Sequence, residues 1–438
     1  MSSFIKDVFR VGLSNFLIIV SGLGTSMLTA RYLGPEKNGI IAAILVYPSL
    51  FMSVGSLGIR QSTTYFLGKG LYSETQIKRA ITQIWFLTSF SCFFTCFILV
   101  YYFSSSGNNI LWALLALIPI PFTLFNTYNS GIFLGKNDIK TFNKINWIPS
   151  LITFLGTFFF IVFFKFDISG YFCALILGPI FISFLLLFKN EFIKAFSLKF
   201  DWSIIKSMLS LGIVYAISLM IINLNYRIDT IILDKLSNTY ELGLYSKGAG
   251  LSQYLWQIPM LLSTVVFARS ATAKNDFSFS LKITQLLRLS LLIVGVLSLI
   301  LFIFGRCIIF ILYGYAFEGS IIVFQILLPG VIILTLFKTM NMDLAGKGKP
   351  WVSVKAMLPA LIVNIVINVI LIPKFGAKGA AISSTISYSV GGILFLYFYS
   401  REIGIPITQI LKFSISDLDV IKYLFKKLSN NHARLPKI

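Results

Sequence analysis

From Ala80 to Gly135 this chain carries no charged residue, and comparable apolar stretches recur along almost its whole length. A hydrocarbon layer of ~30 Å is crossed by about 20 helical residues, and inside it each backbone polar group must find its partner within the segment. Repeated runs of that length restrict the chain to a bundle of membrane-spanning helices. Of its 438 residues 57% are hydrophobic, 43 are Phe and only 12% are charged, a balance that a water-facing surface excludes.

The runs place spans at residues 9–30, 39–59, 81–103, 110–134, 147–165, 170–188, 208–233, 242–266, 287–311, 320–344, 351–373 and 379–400, about twelve transmembrane helices in an all-α integral membrane protein. The segment SSSGNN at 104–109 is polar and turn-forming, so it divides its apolar stretch into a helical hairpin. Lys6 and Arg10 precede the first run, which continues to Ala30 without a small-residue cleavage site and therefore reads as a retained span. Cys92, Cys96, Cys173 and Cys307 all fall inside apolar runs and read as packed hydrophobes. Residues 401–438 form a basic tail with Lys412, Lys422, Lys426 and Lys427, expected at the membrane surface or in water.

With these spans, 27 of the 37 basic residues fall on the side of the N-terminus and 8 on the other. The positive-inside rule then puts both termini in the cytoplasm. The formal charge of +21 is thereby a topology signal, and no nucleic-acid partner is implied.

The two halves resemble each other. GKNDIKTFNKINWIPSLITFLGTFFFIVFFKFDISG (135–170) aligns with GKGKPWVSVKAMLPALIVNIVINVILIPKFGAKG (346–379), pairing Gly135 with Gly346, Pro149 with Pro359 and Gly170 with Gly379 at offsets of 211, 210 and 209. More weakly, Gly39 pairs with Gly243 and Pro48 with Pro259. An even number of spans per half inserts both copies the same way up, which predicts six-helix bundles over 1–200 and 201–400 in a parallel repeat.

RYLGPEKNGI after the first span, RIDTIILDKLSNTYELGLY across the seventh and eighth, and IPKFGAKGAAISSTIS near the end resemble the Wzx-type polysaccharide repeat-unit flippases of the multidrug/oligosaccharidyl-lipid/polysaccharide exporter superfamily. Their order along the chain, more than any one of them, carries the resemblance. It implies a transporter of the bacterial cytoplasmic membrane that moves undecaprenyl-diphosphate-linked oligosaccharides from the inner to the outer leaflet by alternating access, for O-antigen, capsule or a similar polymer. The implied partners are that lipid-linked oligosaccharide, membrane lipid and other polysaccharide-assembly proteins. No cofactor is implied.

The residues that break the apolar pattern are the candidates for a site. In NLNYRIDTIILD (223–234), Asn223, Arg227, Thr230 and Asp234 share one helix face, while Asn225 and Asp229 share another. An ionised side chain at mid-bilayer costs ~2.5–3.5 kcal/mol even on the lenient insertion scale, so it faces protein or a wet cavity. Three readings stand for Arg227: a cavity residue facing the substrate, a structural pair, or a snorkelling side chain with Asp229 and Asp234 as local partners. A diphosphate headgroup suits guanidinium donors, which adds Arg60 in GIRQSTTYF and Arg269 in FARSATAK as residues at the cytoplasmic mouth, each also readable as a topology anchor. Arg31 is a further cavity candidate, readable too as an interfacial anchor or a partner of Glu36. Asp229, and behind it Asp343, are the candidates for ion coupling. Asn364 and Asn368 form a polar face suited to helix–helix hydrogen bonds, and Lys338 reads as snorkelling toward the LAGKGK loop.

No phosphate-binding G-x-x-x-x-G-K-[ST] loop is present, the one histidine is His432 in the tail, and no Cys/His/Asp/Glu cluster has metal-ligand spacing. The chain therefore reads as a transporter and not an enzyme. An ion-coupled multidrug exporter of the same superfamily is the alternative, and a membrane polysaccharide polymerase a more distant one, since every outward loop is too short for saccharide chemistry.

Overall fold

The computed structural model describes residues 2–136, 138–189, 192, 200–260, 266, 270, 276–414 and 417. These residues are almost entirely helical: α1 (Ser2–Val54), α2 (Ile59–Gly68), α3 (Glu74–Phe103), α4 (Ile110–Leu117), α5 (Pro119–Gly135), α6 (Ile139–Thr157) with a π-helical extension (Phe158–Phe163), α7 (Asp167–Lys189), α8 (Trp202–Leu236), α9 (Thr239–Gln253) with a 3-10 turn (Tyr254–Trp256), α10 (Asp276–Tyr313), α11 (Gly319–Gly346), α12 (Trp351–Ile403) and α13 (Ile407–Leu411). Among the described residues, 9 helical segments are long and apolar enough to cross a membrane. The protein is a multi-pass membrane protein.

Two of those segments are not straight. α1 and α12 each run for 53 residues but are broken inside by a glycine, Gly34 (φ 73, ψ 177) and Gly376 (φ 52, ψ −128). Those dihedrals are open to glycine and strained for other residues. The chain doubles back at both points. Asn38 Nδ2 donates to Thr29 O at 2.8 Å, nine residues earlier, and to Gly34 O at 2.7 Å. A Cβ on Gly379 would stand 2.6 Å from Leu371 O, eight residues earlier, whereas eight residues of straight helix span about 12 Å. The expected loops at 31–38 and 374–378 are thus single-residue reversals. SSSGNN does separate α3 from α4, and Asn109 caps α4 by accepting from Trp112 N.

The core divides into three apolar clusters. One lies mostly within residues 221–410, centred on Phe324, Phe337, Phe395 and Tyr399, and the other two lie within the first half around Tyr128 and Phe172. Large side chains that are exposed form stripes instead, such as Phe86, Phe90 and Phe94 on α3 and Phe181, Phe184 and Phe188 on α7. Their spacing of three and four residues marks one helix face, which lipid covers.

Candidate functional site

α8 organises the polar interior. Its face bearing Asn223, Arg227 and Asp234 turns toward the first half of the chain: Asn223 Nδ2 donates to Ser53 Oγ on α1 at 2.8 Å, and Asp234 accepts from Ser105 N at 3.0 Å and from Ser105 Oγ. The opposite face turns toward α12. Asn225 Nδ2 donates to Ser387 Oγ at 3.0 Å, Asn364 Nδ2 donates to Asn225 O at 3.2 Å, and Asn368 Nδ2 donates to Asp229 Oδ1 at 2.8 Å. Spacing i, i+4 on both helices sets up that register, so α8 separates two polar compartments as the pattern of NLNYRIDTIILD predicts.

Arg227 shares the helix face of Asn223, one turn further along α8. Its guanidinium is accessible although protein surrounds it, and it has no ion pair and no hydrogen bond among the described residues. The nearby aspartates are engaged elsewhere, Asp234 by Ser105 and Asp229 by Asn368, so neither serves as the local partner a snorkelling arginine would need. Tyr245 and Tyr388 are in electrostatic range of the charge.

Asp229 is fully buried and lacks a cationic partner among the described residues. Asn364, Tyr245 and Ser384 surround it in addition to Asn368. Its Oδ2 and Asn368 Oδ1 are buried without a hydrogen-bond partner. Two such acceptors side by side in a buried helix interface are what a proton or a small hard cation would satisfy.

Asp343 differs. Ser270 Oγ (2.6 Å) binds its Oδ1, while Ser280 Oγ (2.7 Å), Tyr399 Oη (2.7 Å) and Lys347 Nζ (3.2 Å) converge on its Oδ2. Both oxygens are occupied, and the carboxylate ties the ends of α10, α11 and α12 together.

The remaining arginines are spread through the depth of the molecule. Arg60 is the second residue of α2, just past Gly58, whose backbone crosses Gly212 on α8. Gly212 and Arg227 are about 22 Å apart along the helix axis, so Arg60 and Arg227 do not share one contact point. Arg60 has no side-chain partner among the described residues. Arg31, expected as an anchor or a partner of Glu36, instead reaches the C-terminal end of α10: Nε donates to Leu312 O at 3.2 Å and Nη2 to Ile311 O. Helix-terminal carbonyls lack intrahelical donors and carry partial negative charge, which a guanidinium satisfies. Arg269 lies outside the described residues.

Two lysines complete the set. Lys247, inside the eighth expected span and not among the residues that sequence alone singles out, joins α9 to α1: its Nζ donates to Ser26 O (3.1 Å), Ser26 Oγ (3.3 Å) and Thr29 Oγ1 (2.7 Å). A lysine set among the small residues of GLYSKGAG was the available signal. Lys338 does not snorkel; its ammonium stands 4.1 Å from the ring centre of Tyr226 and 4.5 Å from that of Trp256.

The comparisons with known proteins agree with this architecture. The chain shares its fold with the lipid II flippase MurJ in an inward closed conformation (TM-score 0.75, 16% identity, 98% of this chain and 93% of that one). It shares it equally with an inward-facing multidrug resistance MATE family transporter of the MOP superfamily (TM-score 0.73, 12% identity, 91% and 98%). This is the fold of that transporter class. Residues 28–322 match the polysaccharide biosynthesis protein family, and the chain belongs to it. Over 393 residues it is 23% identical to the capsular polysaccharide biosynthesis protein CapF of Staphylococcus aureus, covering 88% of this chain and 94% of the relative.

Proposed function

We propose that this protein flips undecaprenyl-diphosphate-linked oligosaccharide repeat units from the inner to the outer leaflet of the bacterial cytoplasmic membrane, for O-antigen or capsule synthesis. The observation that carries this reading is the guanidinium of Arg227, accessible and without an ion pair or hydrogen bond among the described residues, on the α8 face whose Asn223 reaches Ser53 of α1. A charge held there without a counter-ion favours an anion that arrives from outside, and planar guanidinium donors match phosphate oxygens. Membership of the polysaccharide biosynthesis family and the fold of a lipid II flippase support the same cargo class. Asn223 and Arg60 line the route on this reading, Arg31 holds the far end closed, and Arg269 would stand at the cytoplasmic mouth.

The architecture that goes with it is twelve spans in two six-helix bundles, 1–200 and 201–400, with both termini in the cytoplasm. Bending α1 and α12 into two spans each, and adding the eighth span expected at 242–266, of which the described residues supply α9, gives that number. The repeat is supported by backbone geometry: Asp167 (φ 57) and Gly376 (φ 52) occupy the left-handed region at aligned positions of the two copies. Asp229 is the coupling residue on this reading, taking a proton or sodium ion between α8 and α12.

The test is mass spectrometry of polyprenyl-linked saccharides in a host with and without the gene, joined to a leaflet-accessibility assay. Accumulation of a finished repeat unit on the cytoplasmic leaflet, cured by the wild type and not by an inserted Arg227→Ala variant, is the expected result. A normal lipid-linked pool with altered sensitivity to organic cations would point to a drug exporter instead.

A further inference from the structure

Lys338 differs from the lysines whose partners are carboxylates. Lys37 pairs with Asp167, Lys78 and Lys136 with Glu74, Lys347 with Asp343 and Lys349 with Glu402. Lys247, which has no carboxylate, is saturated by three oxygen acceptors. The three N–H donors of the Lys338 ammonium meet no acceptor among the described residues, only the faces of Tyr226 and Trp256. Tyr388 closes the group from behind, 5.9 Å from Tyr226 and 5.4 Å from Trp256 between ring centres, edge-on to both. The rings come from α8, the 3-10 turn after α9, and α12. Their own polar atoms add to the imbalance, because Tyr226 Oη and Trp256 Nε1 are buried with no hydrogen-bond partner. The pocket holds a positive charge, an unpaired indole N–H and an unpaired hydroxyl, and no carboxylate pairs with the ammonium among the described residues.

The cage also borders the face that looks across to the first half. Tyr226 is three residues from Asn223, which reaches α1, and next to Arg227, whose charge is in range of Tyr388. Ring faces stabilise a desolvated ammonium through their quadrupoles. That is enough to hold it in place, yet the interaction leaves the charge formally unneutralised. A carboxylate in the same place would cancel it.

We propose that Lys338 is a second anion-binding residue of the transport site, parked on Tyr226 and Trp256 while the site is empty and released from the aromatic faces to an anionic oxygen of the cargo. This deepens the flippase reading and rests on it. The oxygen belongs either to the carrier's diphosphate or to the carboxylate of an acidic sugar. In both cases the ammonium exchanges ring faces for a charge-assisted hydrogen bond.

The experiment is calorimetric titration of the purified full chain in nanodiscs with farnesyl diphosphate, with glucuronate, and with farnesol as the neutral control, alongside lipid-linked saccharide transport in cells. Wild type is expected to bind one of the two anions and not farnesol, and the anion bound names the source of the oxygen. Lys338→Met, whose thioether still fills the aromatic cage, should weaken that binding about ten-fold or more. Lys338→Arg, which keeps charge and stacking, should stay within about three-fold of wild type. Equal affinity of wild type and Lys338→Met, with transport intact, would overturn this role for Lys338 and leave the flippase reading standing. A loss in Lys338→Arg as large as in Lys338→Met would overturn it as well, by making shape and not charge the requirement. Failure of wild type to bind either anion, with a normal lipid-linked pool in cells lacking the gene, would remove both.

Discussion

Gly39 on α1 and Gly243 on α9 cross each other reciprocally. A Cβ on Gly39 would overlap Thr239 O and stand 3.1 Å from Gly243 N, and one on Gly243 would overlap Pro35 O and stand 3.1 Å from Gly39 N. Pro35 precedes Gly39 by four residues as Thr239 precedes Gly243, so the contact is self-complementary, as at a two-fold axis. Adding a methyl group on either side forces the backbones apart at a cost of about 1–3 kcal/mol or more. Gly39→Ala and Gly243→Ala are therefore expected to open this end by similar amounts. Thiol labelling of a cysteine placed at Thr239 measures it; a several-fold rise in both variants is expected, and a rise in only one would deny the reciprocity.

Replacing Asp229 with Asn should remove ion sensitivity without unfolding the protein. The isosteric amide keeps a neighbour for Asn368 and removes a buried charge that has no cationic partner. If sodium binds there, 100 times its dissociation constant stabilises the folded state by about 2.7 kcal/mol. Melting temperatures in sodium against potassium at equal ionic strength should differ by a few degrees for wild type and coincide for Asp229→Asn. A difference that persists in the variant would place the ion elsewhere.

Asp343→Ala should act on stability instead. It strips the shared acceptor from Ser270, Ser280 and Tyr399 and leaves Lys347 without its carboxylate. Losing one partner of a buried charged network costs about 3–5 kcal/mol. The melting temperature should fall while transport per folded molecule is retained. Full stability with transport abolished would instead make Asp343 a coupling residue.

The tail carries a pH-dependent clamp. Arg288 on α10 grips Asp417 through Nε and Nη2, each at 2.7 Å, and also donates to Ile410 O at 2.9 Å. This charge-assisted pair, helped by Ser414 N and opposed by burial, holds the Asp417 carboxyl below the usual carboxylate range. A depressed folded-state value means that the clamp contributes fully above the ordinary carboxylate range and is lost only as pH falls through the lower, bound value. Limited proteolysis after Ile410 should therefore be slow from neutral to mildly acidic pH. Arg288→Ala should expose the site at neutral pH, removing about 1.5–3 kcal/mol of charged hydrogen bonding. A cleavage rate unchanged by that substitution would show that the apolar contacts of Ile405 and Ile410 hold the segment alone.

How much of this could be read beforehand depended on the range of the interaction. The two polar faces of α8 followed from spacing within NLNYRIDTIILD, because residues three and four apart on a helix share a face whatever surrounds it. The break at SSSGNN followed from turn chemistry in six consecutive residues. Arg31 was given a neighbour in sequence, Glu36, but its partners are carbonyls at 311 and 312, exposed only because α10 ends beside it. Lys338 was read from its distance to a loop, whereas its aromatic partners come from segments around 226 and 256 that only the folded bundle brings together. The reversals at Gly34 and Gly376 read as loops, since a glycine among prolines and charged residues marks a turn but does not announce how sharply the chain turns.

The contacts Asn225–Ser387, Asn364–Asn225 and Asn368–Asp229 fasten α8 to α12 over more than a helical turn, with both polar partners desolvated. Sliding one helix past the other by a single residue would strand all of these groups at once in a medium that offers no water. α8 is therefore held to both arms of α12, by Asn364 and Asn368 before the Gly376 reversal and by Ser387 after it, and the three form one beam. Against the first half α8 has fewer ties, Asn223 to Ser53 and Asp234 to Ser105, beside the bare backbone crossings of Gly39 on Gly243 and Gly58 on Gly212, and those crossings are where such a beam can pivot.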